Sequence, residues 1–298
     1  MPSCDGAIYA LNRRTGRPVW KFEAAGGEYH SSPVVEGKTL YVGNDDGHLY
    51  AVSVVSGELL WSAVLNSPCW PKPLMLPGRV VAATMDGNLF CVRRTDGAIL
   101  WRARAGKCVY MSDPVEYERS IVVGTTDGLL TCIDAESARK CWSLQVGEGI
   151  LGGPAVSDGF AYIACRSGLC LKIDLDRRKK VWSRRLLGGN FYAPALGPGV
   201  MVAGTGAGMI YALDRETGGV IWKKRVRGRA GHCSIGGKTL LVACWNGTLR
   251  AFAVKDGSPA WTLTTGGDIR GFVTVDDGWV FTGSIDGSLY AIRTDVRR

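Results

Sequence analysis

Residues 208–222 run Gly208-Met209-Ile210-Tyr211-Ala212-Leu213-Asp214, turn at Thr217-Gly218, and end on Trp222. This is a glycine-led strand, a tight turn and a second strand carrying an indole. Glycine and small polar residues supply the backbone angles that such turns need. The unit recurs. Gly6-Ala7-Ile8-Tyr9-Ala10-Leu11-Asn12 turns at Thr15-Gly16 and reaches Trp20, and Gly47-His48-Leu49-Tyr50-Ala51-Val52 turns at Ser56-Gly57 and reaches Trp61. Tryptophans follow at Trp101, Trp142, Trp182, Trp222 and Trp261, with successive gaps of 41, 40, 41, 40, 40 and 39 residues. Trp70, Trp245 and Trp279 lie outside the series. A further strand, Gly287-Ser288-Leu289-Tyr290-Ala291-Ile292, closes the chain without its tryptophan.

Between one tryptophan and the next strand of this kind lie two more short runs, such as Ser31-Ser32-Pro33-Val34-Val35 and Leu40-Tyr41-Val42-Gly43. They are apolar, β-branched or aromatic, and bounded by turn residues, which reads as strand. Each repeat therefore holds four strands, A to D, in about 40 residues, and no helical periodicity competes. One four-stranded sheet cannot cover both of its faces. It packs on copies of itself, as the blades of a propeller do. A buried indole removes about 150–250 Å² from water, about 4–6 kcal/mol gross at ~25 cal/mol/Å², so one per blade is a repeated inter-blade wedge.

The expected fold is all-β, a seven-bladed β-propeller of four-stranded antiparallel blades, with an eight-bladed alternative. Strands A to D run complete six times between residues 30 and 265. Residues 269–292 add A, B and C, and residues 6–23 add C and D. The expectation is one propeller domain over 1–298, closed by pairing of the N-terminal Trp20 strand with the C-terminal trio. Residues 6–12 then compete with 287–292 for one place.

The residues of the turn-to-tryptophan segment resemble the pyrroloquinoline-quinone-like (PQQ-like) propeller repeat, whose tryptophan-docking motif has Ala first, Asp or Asn third, Thr-Gly sixth and seventh, and Trp eleventh. Ala10, Asn12, Thr15, Gly16, Trp20 and Ala212, Asp214, Thr217, Gly218, Trp222 match in full. The copies at Ala51–Trp61 and Ala251–Trp261 are close. Those at Cys132–Trp142 and Lys172–Trp182 place Ala138 and Arg178 where the motif has Gly. The resemblance covers essentially the whole chain and implies fold more than task, because one architecture hosts many functions. Quinoprotein dehydrogenases carry this repeat with calcium and an adjacent Cys-Cys pair. This chain has no Cys-Cys, so PQQ with calcium is disfavoured and no cofactor is expected.

By the same resemblance, the starts of the A strands ring a central funnel where ligands bind. The candidates there are Tyr29, His30, Trp70, Lys72, Tyr110, Met111, Asp113, Phe191, Tyr192, His232 and Arg270. An aromatic and apolar lining with a few polar groups suits a pocket; the alternative is a set of side chains plugging a narrow channel. His30, Cys69, Cys108, His232 and Cys233 fall in the same loops, but no tight local spacing joins them, and no metal site is expected. The Asp-Gly pairs at 45–47, 86–87, 127–128 and 286–287 recur at the B–C turn and read as turn chemistry.

The chain has 36 Lys and Arg against 27 Asp and Glu, a formal charge of +9. Arg13, Arg14 and Arg17, then Arg177–Lys180 with Arg184 and Arg185, then Lys223–Arg229 form basic runs expected on outer strands, on the face opposite the funnel. Such a rim protects sheet edges or receives an acidic partner. Without interleaved aromatics it gives no nucleic-acid motif.

Ten cysteines with no Cys-x-x-Cys spacing read as reduced, packed thiols. No apolar run approaches a membrane span, so no membrane partner is expected. No leader pattern opens the sequence, so the expected location is cytoplasmic, or periplasmic or secreted if a leader has been removed. The functional expectation is a non-catalytic binding or scaffold propeller holding a partner protein, peptide or small ligand in its funnel or on its basic rim. The alternative is an enzyme with a funnel active site, quinoprotein-like or unrelated.

Overall fold

The computed structural model describes residues 1–24, 26–107, 112–190 and 192–294. Its regular structure is antiparallel β-sheet. The chain forms two compact units, residues 1–149 and 150–298.

The first unit opens with a hairpin of β1 (Ala7–Leu11) and β2 (Pro18–Glu23). Three four-stranded sheets follow in chain order: β3 (Val34–Glu36), β4 (Thr39–Gly43), β5 (His48–Ser53) and β6 (Leu59–Val64); then β7 (Leu74–Leu76), β8 (Arg79–Ala83), β9 (Asn88–Arg93) and β10 (Ile99–Arg104); then β11 (Val115–Tyr117), β12 (Ser120–Gly124), β13 (Leu129–Asp134) and β14 (Lys140–Gln145). The second unit repeats the plan with β15 (Ala155–Ser157), β16 (Phe160–Ala164), β17 (Leu169–Asp174) and β18 (Lys179–Arg185); β19 (Ala195–Gly197), β20 (Val200–Gly204), β21 (Met209–Asp214) and β22 (Val220–Arg225); and β23 (Ala230–Gly236), β24 (Thr239–Cys244), β25 (Thr248–Ala253) and β26 (Pro259–Thr264). It ends on a three-stranded sheet of β27 (Val273–Asp276), β28 (Trp279–Gly283) and β29 (Leu289–Arg293). Seven blades are thus laid down, six complete and the last of three strands, with the β1–β2 hairpin as a further partial sheet.

That hairpin corrects one expectation. Among the described residues, the Trp20 strand pairs with β1 over Ala7–Glu23, and β29 has β28 as its one sheet neighbour. The local pairing needs only a six-residue turn to close. Asn12 Oδ1 accepts the amides of Arg14 and Thr15 at 3.0 Å each in that turn. A short loop closes at far lower entropic cost than one spanning the chain.

Burial explains why the strands read as continuous apolar runs. β4, β5, β8 and β9 are buried along almost their whole length, because a neighbouring sheet covers each face. The D strands β6, β10 and β22 are largely exposed and keep mixed composition. The turns obey a second rule. Asp46 accepts the amide of His48 (3.0 Å) and the hydroxyl of Tyr50 (2.5 Å), and Asp5 with Tyr9 and Asp286 with Tyr290 repeat the carboxylate–phenol bond at 2.6 and 2.8 Å. The Asp-Gly carboxylates of these copies are spent on holding their own hairpins, as their recurrence indicated.

Five of the seven periodic indoles hydrogen-bond to a neighbouring sheet of their own unit. Trp20, Trp61, Trp101, Trp182 and Trp222 donate Nε1–H to the carbonyls of Val54, Arg94, Ala135, Arg215 and Val254 at 2.8–3.1 Å. At four of the motif glycines the indole of the preceding blade lies against the glycine, whereas a Cβ at Gly16 would meet nothing within 4 Å. A Cβ at Gly57, Gly97, Gly218 or Gly257 would stand 2.7–2.8 Å from an indole carbon, and each has positive φ. Ala138 takes that backbone conformation without glycine (φ 60°) and packs in the cluster that holds Trp101.

Nine cysteines fall among the described residues and all are free thiols. Burial pushes the thiols of Cys69, Cys170 and Cys233 up to about 12 and that of Cys91 to about 11. Only the thiolate reacts, so these side chains are inert at ordinary pH. In a Cys108→Ser background at about pH 8, iodoacetamide is expected to modify Cys4 and Cys141, the two exposed thiols, and no other until the chain unfolds. Mass-spectrometric mapping of the native labelled protein checks this; a modified Cys91 or Cys170 contradicts it.

Candidate functional site

The candidates Tyr110, Met111 and Phe191, with Cys108, lie outside the described residues. The others gather within their own units.

In the first unit, His30 packs against Trp70 with ring centroids 4.7 Å apart and planes tilted by 33°. This contact joins the β3–β6 blade to the β7–β10 blade, and the Ser31 hydroxyl reinforces it by donating to the carbonyl of Pro71 at 3.0 Å. Tyr29 is buried in the core against β4 and β5; burial raises its phenol well above the ordinary value. Lys72 is placed by its backbone, whose amide donates to Asp113 Oδ1 at 2.8 Å. Burial raises the Asp113 carboxyl above the usual range, opposed by that hydrogen bond and by the charge of Lys72. Asp113 is thus a structural acceptor between two blades.

In the second unit, Tyr192, His232 and Arg270 come together around residues that sequence reading did not select. Phe272 meets His232 edge-on at 4.3 Å, and His232 meets Tyr192 at 6.1 Å. The Tyr192 hydroxyl donates to the carbonyl of Arg270 at 3.0 Å and accepts the indole N–H of Trp245 at 3.2 Å. Burial raises the Tyr192 phenol, against the indole hydrogen bond and the nearby Arg270 and Arg229 charges. Trp245 lies under two guanidinium groups, those of Arg229 and Arg270, each 4.8 Å from the ring. Gly231 allows this packing, since a Cβ there would stand 3.2 Å from Trp245 Nε1.

This placement corrects the expectation for one basic run. Lys223, Lys224 and Arg225 do lie on the outer strand β22, but Arg229 stacks on Trp245 beside Tyr192 and Arg270, on the side of the funnel candidates. The chain turns the corner from β22 to β23 through Gly228 (φ 75°), which carries Arg229 off the outer edge. The spacing of Trp245 from the seven periodic indoles was the available signal; as the one tryptophan after a B strand, it could not serve as a D-strand wedge.

Beside this cluster is an open groove of ≈ 700 Å³ lined by Arg225, Arg227, Arg229 and Arg250 with Gly206, Ala207, Val226 and Gly228. Among the described residues, four guanidinium groups and no carboxylate line it. Their mutual repulsion is relieved by an anion, and a guanidinium recognises carboxylate or phosphate through paired N–H donors. The neighbouring rings offer apolar and cation–π surface.

Cys69 and Cys233 are buried in two different cores, and His30 joins neither.

A family model described as outer membrane protein assembly factor BamB matches residues 4–115, 91–206, 166–269 and 206–297. The outer membrane protein assembly factor BamB of Yersinia pestis is 23% identical over 157 residues, covering 48% of this chain and 40% of that protein. Tetrathionate hydrolase of Acidithiobacillus ferrooxidans is 22% identical over 167 residues, covering 47% and 34%. The matches thus span less than half the length of these curated relatives. The crystal structure of BamB from Moraxella catarrhalis superposes with a TM-score of 0.85 at 20% identity, covering 97% of this chain and 91% of that one; the likeness establishes the propeller fold. With family matches running from residue 4 to residue 297, the chain belongs to the PQQ-like propeller family described by the outer membrane protein assembly factor BamB.

Proposed function

We propose that this chain is a non-catalytic scaffold that holds a partner protein through an acidic segment of it, laid in the arginine groove and against Trp245. The observation that carries the reading is the indole set under Arg229 and Arg270 beside four arginines with, among the described residues, no carboxylate in the groove lining. An enzyme needs a positioned nucleophile, acid or base; the groove offers cations and an aromatic platform, which suit recognition. Relatives named as outer membrane assembly factors support a partner-holding role. They also favour the periplasmic alternative over the cytoplasmic expectation. Among the described residues, no helix is long and apolar enough to cross a membrane.

No quinone enters this reading. Asp113 is committed to the Lys72 amide and Asp268 to Arg270 at 3.0 Å, and no two cysteines are adjacent, so these residues do not fit a calcium-held quinone. Adding PQQ with Ca2+ is expected to leave the thermal unfolding midpoint unchanged.

The test is a titration with a peptide rich in Asp, Glu and Phe, followed by anisotropy, against a length-matched neutral peptide. A hydrogen bond to a charged group contributes about 1.5–3 kcal/mol, so Arg227→Glu and Arg229→Glu are each expected to weaken binding by roughly tenfold or more. Trp245→Ala removes the platform and weakens it further. Equal binding of acidic and neutral peptides, or no loss in Arg227→Glu, refutes the reading.

A further inference from the structure

We propose that Cys4, Glu28 and His30 form a binding site for a zinc-class divalent cation, with His30 oriented by Asp45. The Cys4 Sγ, a Glu28 carboxylate oxygen and an imidazole nitrogen of His30 all lie within 4.8 Å of one another. Zinc takes such a mixed set at about 2.0–2.3 Å, so closing these ligands on one ion needs only small side-chain rotations. All three residues are exposed, which leaves room for Cys4 and Glu28 to turn towards His30.

The imidazole carries the argument beyond proximity. His30 Nδ1 faces both oxygens of Asp45, at 3.2 and 3.0 Å. Its other nitrogen, Nε2, is turned towards Glu28 at 3.6 Å. A carboxylate on one ring nitrogen sets the tautomer that leaves the opposite nitrogen as a lone-pair donor, the arrangement that metal-ligating histidines adopt. The ring also packs against Trp70, with centroids 4.7 Å apart. His30 is therefore fixed in orientation by two contacts from different parts of the fold, with its free nitrogen aimed at the thiol and carboxylate.

The surroundings favour a cation. Cys4 and Glu28 also line an open groove of ≈ 430 Å³ with Asp5, Glu23, Gly6, Ala24, Gly26 and Gly27. Among the described residues, three carboxylates and a thiol line it and no Lys or Arg does, Glu23 being ion-paired with Lys21 outside the lining. Gly27 lets the β2–β3 loop lie against the β4–β5 turn: it has positive φ, and a Cβ there would stand 2.3 Å from Asn44 Oδ1 and 2.7 Å from the amide of Asp46. Three protein ligands leave a fourth position open to water or to a group from a partner, the pattern of sites that are not closed structural ones. The site lies wholly in the first unit and does not depend on the arginine groove in the second.

The experiment is a Cd2+ titration of the reduced protein, in a Cys108→Ser/Cys141→Ser background that leaves Cys4 as the one exposed thiol among the described residues, followed by the ultraviolet thiolate-to-cadmium charge-transfer band. One Cd2+ per chain is expected to develop the band, and Zn2+ to displace it. Cys4→Ser abolishes the band and His30→Ala weakens binding. Asp45→Asn, which touches no metal, lowers affinity by about 10–100-fold. Thermal unfolding of each variant without metal confirms the fold, since all four positions lie at the surface or in loops. A band that persists in Cys4→Ser, an unchanged affinity in His30→Ala, or no saturable band in the parent protein overturns the proposal. Acidic-peptide binding is unaffected by any of these outcomes.

Discussion

Trp222→Ala lowers the free energy of unfolding by about 3–5 kcal/mol, the range for removing a buried tryptophan. The side chain is buried among Val202, Ala212, Leu240 and Phe252. Its ring covers Gly257 and its Nε1–H meets the carbonyl of Val254 at 2.8 Å. Both belong to the next blade, so the loss falls on the interface between sheets. In a repeat architecture, stability is a sum of unit and nearest-neighbour contributions, and this substitution removes most of one neighbour contribution. Trp222→Phe keeps much of the area but not the hydrogen bond, and is expected to lose less. Trp279→Ala serves as the control: that indole is half-buried and stacks on Phe281 of its own strand at 6.3 Å. Urea unfolding followed by circular dichroism reads all three. A Trp222→Ala cost below that of Trp279→Ala would show that the periodic indoles are not the wedges between blades.

The second large effect concerns Lys172. It stands opposite Trp182, in the register position that Ala10, Ala51, Cys91, Cys132, Ala212 and Ala251 occupy opposite the other periodic tryptophans. A lysine there is almost fully buried, at 1% exposure. Its stem fills the interior while the ammonium sits 4.1 Å from the Phe160 ring and 2.7 Å from a Glu216 carboxylate oxygen. The side chain thus packs as a hydrophobe and delivers its charge to the edge. Lys172→Ala leaves a cavity and is expected to cost about 2–5 kcal/mol, like other long-chain truncations in a core. Lys172→Met conserves the volume without the charge, and volume-conserving swaps cost less than about 1.5 kcal/mol; replacing a buried ion pair by apolar packing is often neutral. Equal losses in the two variants would show that the ammonium, not the stem, holds this position.

The strands and their turns were legible because their signals are local. Asp214 Oδ1 accepts the amides of Glu216 and Thr217 within its own hairpin, and Gly218 needs its positive φ there; both facts follow from residues a few positions apart. The 40-residue return of tryptophan was legible for the same reason. The partner of β2 was not, because residues 6–12 and 287–292 carry the same strand pattern and pattern alone does not rank two equal strands. Nor was the role of Arg229. It reads as one more cation in a basic run, until Gly228 turns the chain and sets its guanidinium on Trp245.

The sequence by itself determined that this chain is built of short antiparallel strands in repeating sheets, and that indoles join them. Only the tertiary structure decided that Arg229, Arg270 and Tyr192 meet at Trp245, and that Cys4 reaches Glu28 and His30. Hairpin chemistry acts over a handful of residues, whereas these encounters join loops from different blades, and their distance is set by how one sheet packs against the next.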